Sequence, residues 1–234
     1  MHIPDGFLDA PVSVATGAVA VAGLAYCVKR AQGELDDKLA PMAGLTAAFV
    51  FAVQMLNFPV ALGTSGHLLG GALAAVLVGP AAGAMCLAVV LLVQALFADG
   101  GLTALGANIT LMGLLTAFAG YAVFRALLKV LPRRDGSVVL SAGIAAGISV
   151  PLSAAGFVLL FALGGNADLP IAGVLAAMVG VHVLIGIGEG LITAFTVGAV
   201  LKTRPDLVHG ARHLLRDRQL VITTTPTATP EVAR

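Results

Sequence analysis

The apolar residues of this chain fall in unbroken runs, and nothing else in the sequence restricts its fold as strongly. Segments 11–28, 39–56, 81–98, 105–130, 138–163 and 171–201 carry almost no charge. At ~1.5 Å per residue, each is long enough as a helix to cross roughly 30 Å of hydrocarbon. A barrel strand would instead alternate apolar and polar residues over about ten positions. Backbone groups in lipid must find their partners inside the protein, and a continuous apolar run does this as a helix. The expected fold class is therefore an all-α polytopic membrane protein. Composition agrees: 59% of residues are apolar and 11% are Asp, Glu, Lys or Arg, where soluble domains hold about a quarter charged. With a net charge of +1, that scarcity excludes an ordinary soluble enzyme, a disordered chain and a nucleic-acid binder.

Segment 66–79 is too short to span, at ~1.5 Å per residue reaching only about 21 Å. Charge argues that it crosses all the same, because Lys and Arg in short loops collect on the inner side. With seven crossings, a short third one and the N-terminus outside, the inner side holds Lys29, Arg30, Lys38, Arg125, Lys129, Arg133, Arg134, Lys202, Arg204, Arg212, Arg216, Arg218 and Arg234, all 13 basic residues. Without that crossing the set divides between the two sides. The outer loops then carry Asp5, Asp9, Asp99 and Asp168 and no cation, a surface that attracts divalent metal ions. The missing depth of the third crossing is made up if residues 57–65 dip into the outer leaflet, and a broken, Gly-rich short segment is a pointer to a substrate site. The expected division is a membrane domain over 1–205 and a cytoplasmic tail over 206–234. The basic stretch 202–218 lies along the inner surface in this reading, and the Thr- and Pro-rich end 221–234 is disordered. Cys27 and Cys86 sit in apolar runs and read as small core residues. Lys29 and Arg30 follow the first apolar run where a signal peptide would have its charges in front, so Met1 is expected to remain.

Polar groups are costly inside a membrane, which makes the few present informative. Gln54, Gln94 and Asn108 read as interhelical hydrogen bonders. His182 and Glu189 stand seven residues apart, hence on one helix face but roughly 10 Å apart along the axis, too far to bond each other. Gly186 and Gly190, at GxxxG spacing, allow a neighbouring helix to come close beside them. The N-terminal Met1-His2-Ile3-Pro4-Asp5-Gly6-Phe7-Leu8 is the most specific stretch. A terminal amine, the His2 amide nitrogen and the His2 imidazole can close two fused chelate rings on one metal, three nitrogens in a plane. His67, on the same side, is a natural fourth. Planar nitrogen donation suits Ni(II) and Cu(II), whereas Zn(II) prefers a tetrahedron. Asn57 and Ser65, the end residues of the dipping segment, and His182 and Glu189 are candidates for supporting or closing such a site. Two other readings use His182 and Glu189 directly: an intramembrane metalloenzyme with Glu189 as general base, and a cation channel. The first lacks the HExxH spacing and the second lacks rings of charged pore residues.

The N-terminal octapeptide, the Gly63-Thr64-Ser65-Gly66-His67-Leu68 turn and the stretch from His182 to Thr193 together resemble the CbiM/NikM family over about residues 1–205. These are the substrate-capture subunits of energy-coupling-factor ABC transporters for cobalt and nickel. The resemblance implies a non-enzymatic transport subunit in a prokaryotic plasma membrane, with Co(II) or Ni(II) as transported substrate. It implies metal held by the Met1 amine, the amide and imidazole of His2 and the imidazole of His67. It also implies partners: a transmembrane coupling subunit, two ATPase subunits and a small accessory membrane subunit. The chain has no GxxxxGK[ST] phosphate loop of its own.

Overall fold

A computed structural model describes residues 1–32, 39–59 and 65–212, and their long elements are all helices. Seven are found: α1 (Ala10–Ala31), α2 (Leu39–Gln54), α3 (Gly71–Val78), α4 (Pro80–Leu96), α5 (Leu105–Val130), α6 (Asp135–Gly164) and α7 (Ile171–Thr203). Phe58–Pro59 and Ser65–Gly66 pair as a minimal antiparallel ribbon, β1 and β2. Two short 3₁₀ turns, Pro205–Leu207 and His209–Ala211, follow α7. Four helices, α1, α5, α6 and α7, are long and apolar enough to cross a membrane, and α2 and α4 are shorter apolar helices. Lys38, Arg216, Arg218, Arg234, most of the dipping segment and the end 221–234 lie outside the described residues.

The third helix is shorter than the 66–79 run suggested. Gly70 at φ 78° and Gly79 at φ 99° bracket it with backbone conformations that side-chain-bearing residues rarely adopt, leaving eight helical residues between them. All eight are buried. At about 12 Å this helix cannot cross a membrane alone. It is the axis of the fold, packed against α2, α4, α5, α6 and α7. The other helices put apolar side chains outward, as Val14 and Val21 on α1 and Leu184, Ile187 and Phe195 on α7 do. Such surfaces are what lipid requires.

Local chemistry sets the remaining geometry. The Asp9 carboxylate accepts from Val12 N at 2.9 Å and caps α1, with Pro11 in its first turn. In α5 the residues Ile109–Leu115 form a π turn, and Ser153 Oγ of α6 donates to Leu111 O at 3.0 Å. A hydroxyl from the neighbouring helix thus satisfies a carbonyl in the irregular turn, as irregular backbone at membrane depth demands. Helices α6 and α7 form a long hairpin whose closest approach is glycine on glycine. A methyl group at Gly186 would lie 2.5 Å from Gly147 O, and one at Gly190 would lie 2.8 Å from Gly143 O. The close approach expected from GxxxG spacing is therefore realised against Gly143 and Gly147.

The core divides in two along the bundle. One half gathers Met1, Ile3, Leu8, Leu68, Leu69, Met112, Phe157, Phe161 and Met178. The other gathers Cys27, Leu73, Ala75, Val76, Leu77, Phe124, Val138, Leu201, Val208 and Ala211. The residues just after α7 belong to this second core: Val208 is fully buried, and a methyl group at Gly210 would meet the Phe124 ring. Lys29, Arg30, Lys129 and Lys202 occupy the last turns of α1, α5 and α7, all at that end.

Candidate metal centre

The N-terminal octapeptide is built into the bundle at the other end. Asn108, buried in α5, receives Ile3 N on Oδ1 at 2.9 Å and donates Nδ2 to Ile3 O at 3.2 Å. Gly101 N donates to the same Ile3 carbonyl at 2.8 Å. Asp5 Oδ1 accepts from Thr103 N at 2.7 Å and Thr103 Oγ1 at 2.6 Å, which holds the Asp5 carboxyl below its ordinary range. On the opposite edge Leu8 bridges Gly165, and Asn166 N donates to Phe7 O at 3.0 Å. Phe7 lies on Phe157 and Phe161 with ring centres 5.6 and 5.4 Å away. These straps account for the main chain of residues 3–9 on both edges, so the first two residues have little freedom. Met1 and Ile3 are buried, 2% and 0% exposed.

That clasp brings the predicted ligands together. The His2 and His67 rings stack with centroids 4.3 Å apart and planes 25° from parallel. Each ring has one nitrogen committed and one open. His2 Nε2 meets Gln94 Oε1 at 3.0 Å, and His67 Nδ1 meets Leu68 O at 2.8 Å. Amide and carbonyl oxygens only accept, so these nitrogens carry the protons. The lone pairs are then left on His2 Nδ1 and His67 Nε2. Both atoms are buried without a hydrogen-bond partner. His2 Nδ1 does lie 3.2 Å from Asp99 Oδ1, in a direction that makes no hydrogen bond. The carboxylate there faces the position a cation would take. Asp99 follows Ala98, held at φ 61°, a strained conformation for a residue with a side chain.

Burial favours the neutral forms of the amine and imidazole. It pushes the Met1 amine below its ordinary value, with Asp99 pulling weakly the other way. Burial, and the neighbouring amine after it, brings His2 down to about 4. Neutral nitrogens are what a metal ion needs, because a proton on the donor competes with it. Among the described residues, no three His, Cys, Asp or Glu side chains form a cluster able to hold an ion alone. A donor set that takes two nitrogens from the main chain needs only two imidazoles.

The supporting candidates separate. Glu189 reaches across from α7 and accepts from Leu69 N at 2.5 Å and Gly70 N at 2.9 Å. Gln54 Nε2 donates to Leu69 O at 2.6 Å. The two side chains fix the loop immediately after His67, and both Glu189 oxygens are engaged. His182 is fully buried, with Nδ1 at 2.7 Å from Met178 O and Nε2 without a partner. Asn57 is exposed beyond α2. Ser65 enters through its backbone, paired with Pro59. Gln94 and Asn108 hold the N-terminal segment, where the sequence suggested bonds between helices. Their partners are 92 and 105 residues away along the chain, and a buried amide on a helix does not announce which element it serves.

Sequence and structure comparisons point the same way. Residues 2–207 match the CbiM family, described as a cobalt uptake substrate-specific transmembrane region. The chain belongs to this family. It is 41% identical over 216 residues to a fused nickel transport protein NikMN of Archaeoglobus fulgidus, covering 89% of this chain and 68% of that protein. It is 36% identical over 217 residues to the cobalt transport protein CbiM of Sorangium cellulosum, covering 89% of this chain and 94% of that one. A crystal structure of a truncated transition-metal transporter superposes with a TM-score of 0.79 at 31% identity, covering 86% of this CbiM-family chain and 99% of the other.

Proposed function

We propose that this chain is the substrate-capture subunit of an energy-coupling-factor importer, binding Co(II) or Ni(II) at the outer face for ATP-driven uptake. The carrying observation is the stacked pair of His2 and His67, each with a buried, unpartnered nitrogen, beside the buried Met1 amine. With Met1 as first residue, the amine, the His2 amide nitrogen, His2 Nδ1 and His67 Nε2 form a planar four-nitrogen set. The ion displaces the amide proton and meets donors that are already neutral. Gln94 and Leu68 O hold the ring tautomers, as second partners of metal-binding imidazoles commonly do. Asp99 supplies the negative charge that attracts the ion.

Seven crossings with the N-terminus outside put this set at the outer face, within a membrane domain of residues 1–205, with 206–234 on the cytoplasmic side. The clustering of Lys29, Arg30, Lys129 and Lys202 at the far end supports that orientation. Without a phosphate loop, the chain draws its energy from partners: a transmembrane coupling subunit, two ATPase subunits and a small accessory membrane subunit, in a prokaryotic plasma membrane. Against the enzyme and channel alternatives stands the engagement of both Glu189 oxygens by backbone amides.

Metal content tests the reading. Protein purified after growth with equal cobalt and nickel carries close to one equivalent of the two together. Protein that carries neither, and takes up neither when titrated, overturns it.

A further inference from the structure

The four-nitrogen set leaves one buried imidazole nitrogen in the same half of the bundle unexplained. His182 is 0% exposed, and its Nδ1 is held by Met178 O at 2.7 Å, so its Nε2 carries the lone pair and has no partner. His67 shows the same arrangement, one nitrogen tied to a carbonyl and the other open. An imidazole sealed from water with an open nitrogen costs stability that a satisfied side chain would not. Its surroundings are those of the metal set. Met178 and Ile185, one turn to either side on α7, pack in one cluster with Met1, Leu68 and Leu69. Two turns further along the same face, Glu189 grips the loop that carries His67.

We propose that His182 Nε2 is an axial nitrogen donor above or below the planar set, and that it tunes the site toward Co(II) relative to Ni(II). This rests on the planar site proposed above. In a strong planar nitrogen field, Ni(II) leaves its axial positions empty. Co(II), one electron short of it, keeps an unpaired electron along the axis and takes up one axial nitrogen base. A fifth nitrogen therefore contributes to cobalt binding and little to nickel binding, and it offsets the general order that favours nickel. The three imidazoles do not form an ion-holding cluster by themselves in this structure. Completing the set therefore requires the His182 ring to approach the ion.

The test uses the full chain in detergent, loaded with Co(II) or Ni(II) separately. In the wild type, the paramagnetic resonance spectrum of low-spin Co(II) shows each axial line split into three by a single nitrogen nucleus, and His182→Ala removes that splitting. The same variant lowers the ratio of Co(II) to Ni(II) affinity by about tenfold or more, the scale on which partners of a metal site act. A fold defect would weaken both ions alike, and an equal loss of both overturns the proposal. Retained splitting in His182→Ala, or a wild-type spectrum without it, overturns it too. Failure of the wild type to bind either ion would strike down the planar site beneath it, a result distinguishable from the others.

Discussion

Replacing Glu189 by Leu removes the acceptor for two buried backbone donors, Leu69 N and Gly70 N, which now sit 2.5 and 2.9 Å from its oxygens. Leu69 is 0% exposed and Glu189 2%, so water cannot take the place of the carboxylate. Each stranded N–H costs about 1–3 kcal/mol, giving roughly 2–6 kcal/mol for the pair, with relief at the lower end from no longer burying a carboxylate. At about 2–4 °C per kcal/mol for a chain of this size, thermal unfolding in detergent falls by roughly 5–20 °C. Metal affinity falls as well, because the loop that loses its anchor carries His67. Glu189→Gln is an intermediate case: its carbonyl oxygen serves one N–H and its NH₂ opposes the other. The expected order of midpoints is wild type, then Gln, then Leu. A Leu variant melting within a degree or two of wild type, with unchanged metal affinity, would refute the view that Glu189 is the anchor of the His67 loop.

Helix packing gives a sharp contrast: Gly186→Ala places a methyl 2.5 Å from Gly147 O, whereas Gly180→Ala meets nothing within 4 Å. The first lowers the unfolding midpoint. The second leaves it or raises it, since Ala is favoured over Gly in a helix by up to ~1 kcal/mol. Asn108→Ala strands Ile3 N, while Asn166→Ala removes only an exposed bond to Gly6 O, so proteolytic release of the N-terminal segment accelerates strongly in the first and little in the second. His209 is pushed down to about 4 by burial and then by Arg212 and Arg125. In the unfolded chain it takes its proton near ~6.5, so between those values the unfolded state binds more protons. The stability of the turns after α7 is therefore present above the unfolded value and is lost as pH falls toward 4. Hydrogen exchange across 205–211 reads this directly, and His209→Gln flattens the dependence. Protection that ignores pH in the wild type contradicts the burial of His209.

How much was legible in the sequence follows from the range of each interaction. The helices were visible because lipid demands continuous apolar runs, and α5 extends over 105–130 as read. The glycine pair on α7 was visible because its spacing is local; His2 was singled out by the chemistry of the first two residues, and His67 by falling on the same side of the membrane and in the resemblance. What holds these in place was not visible. Gln94, Asp99 and Asn108 act on residues near the start of the chain, and Glu189 acts on Leu69 and Gly70 across 120 and 119 positions. Periodicity does not report pairings of that length. Asn57, at the start of the dipping segment, is exposed next to β1. Gly70 and Gly79 cut α3 to eight residues through backbone sign, which a hydropathy count does not register.

The most direct measurement concerns the first atom of the chain. Placing two Ala before Met1 converts the buried amine into an amide and moves the terminal nitrogen out of the chelate, without touching either imidazole; a single Ala would put the imidazole at position three, where amine, two amides and imidazole make a planar Ni(II) chelate of their own. Equilibrium binding of Ni(II) to the purified protein should then be abolished, while thermal unfolding of the metal-free helical bundle stays close to wild type. Undiminished Ni(II) affinity in the extended chain would contradict the four-nitrogen site.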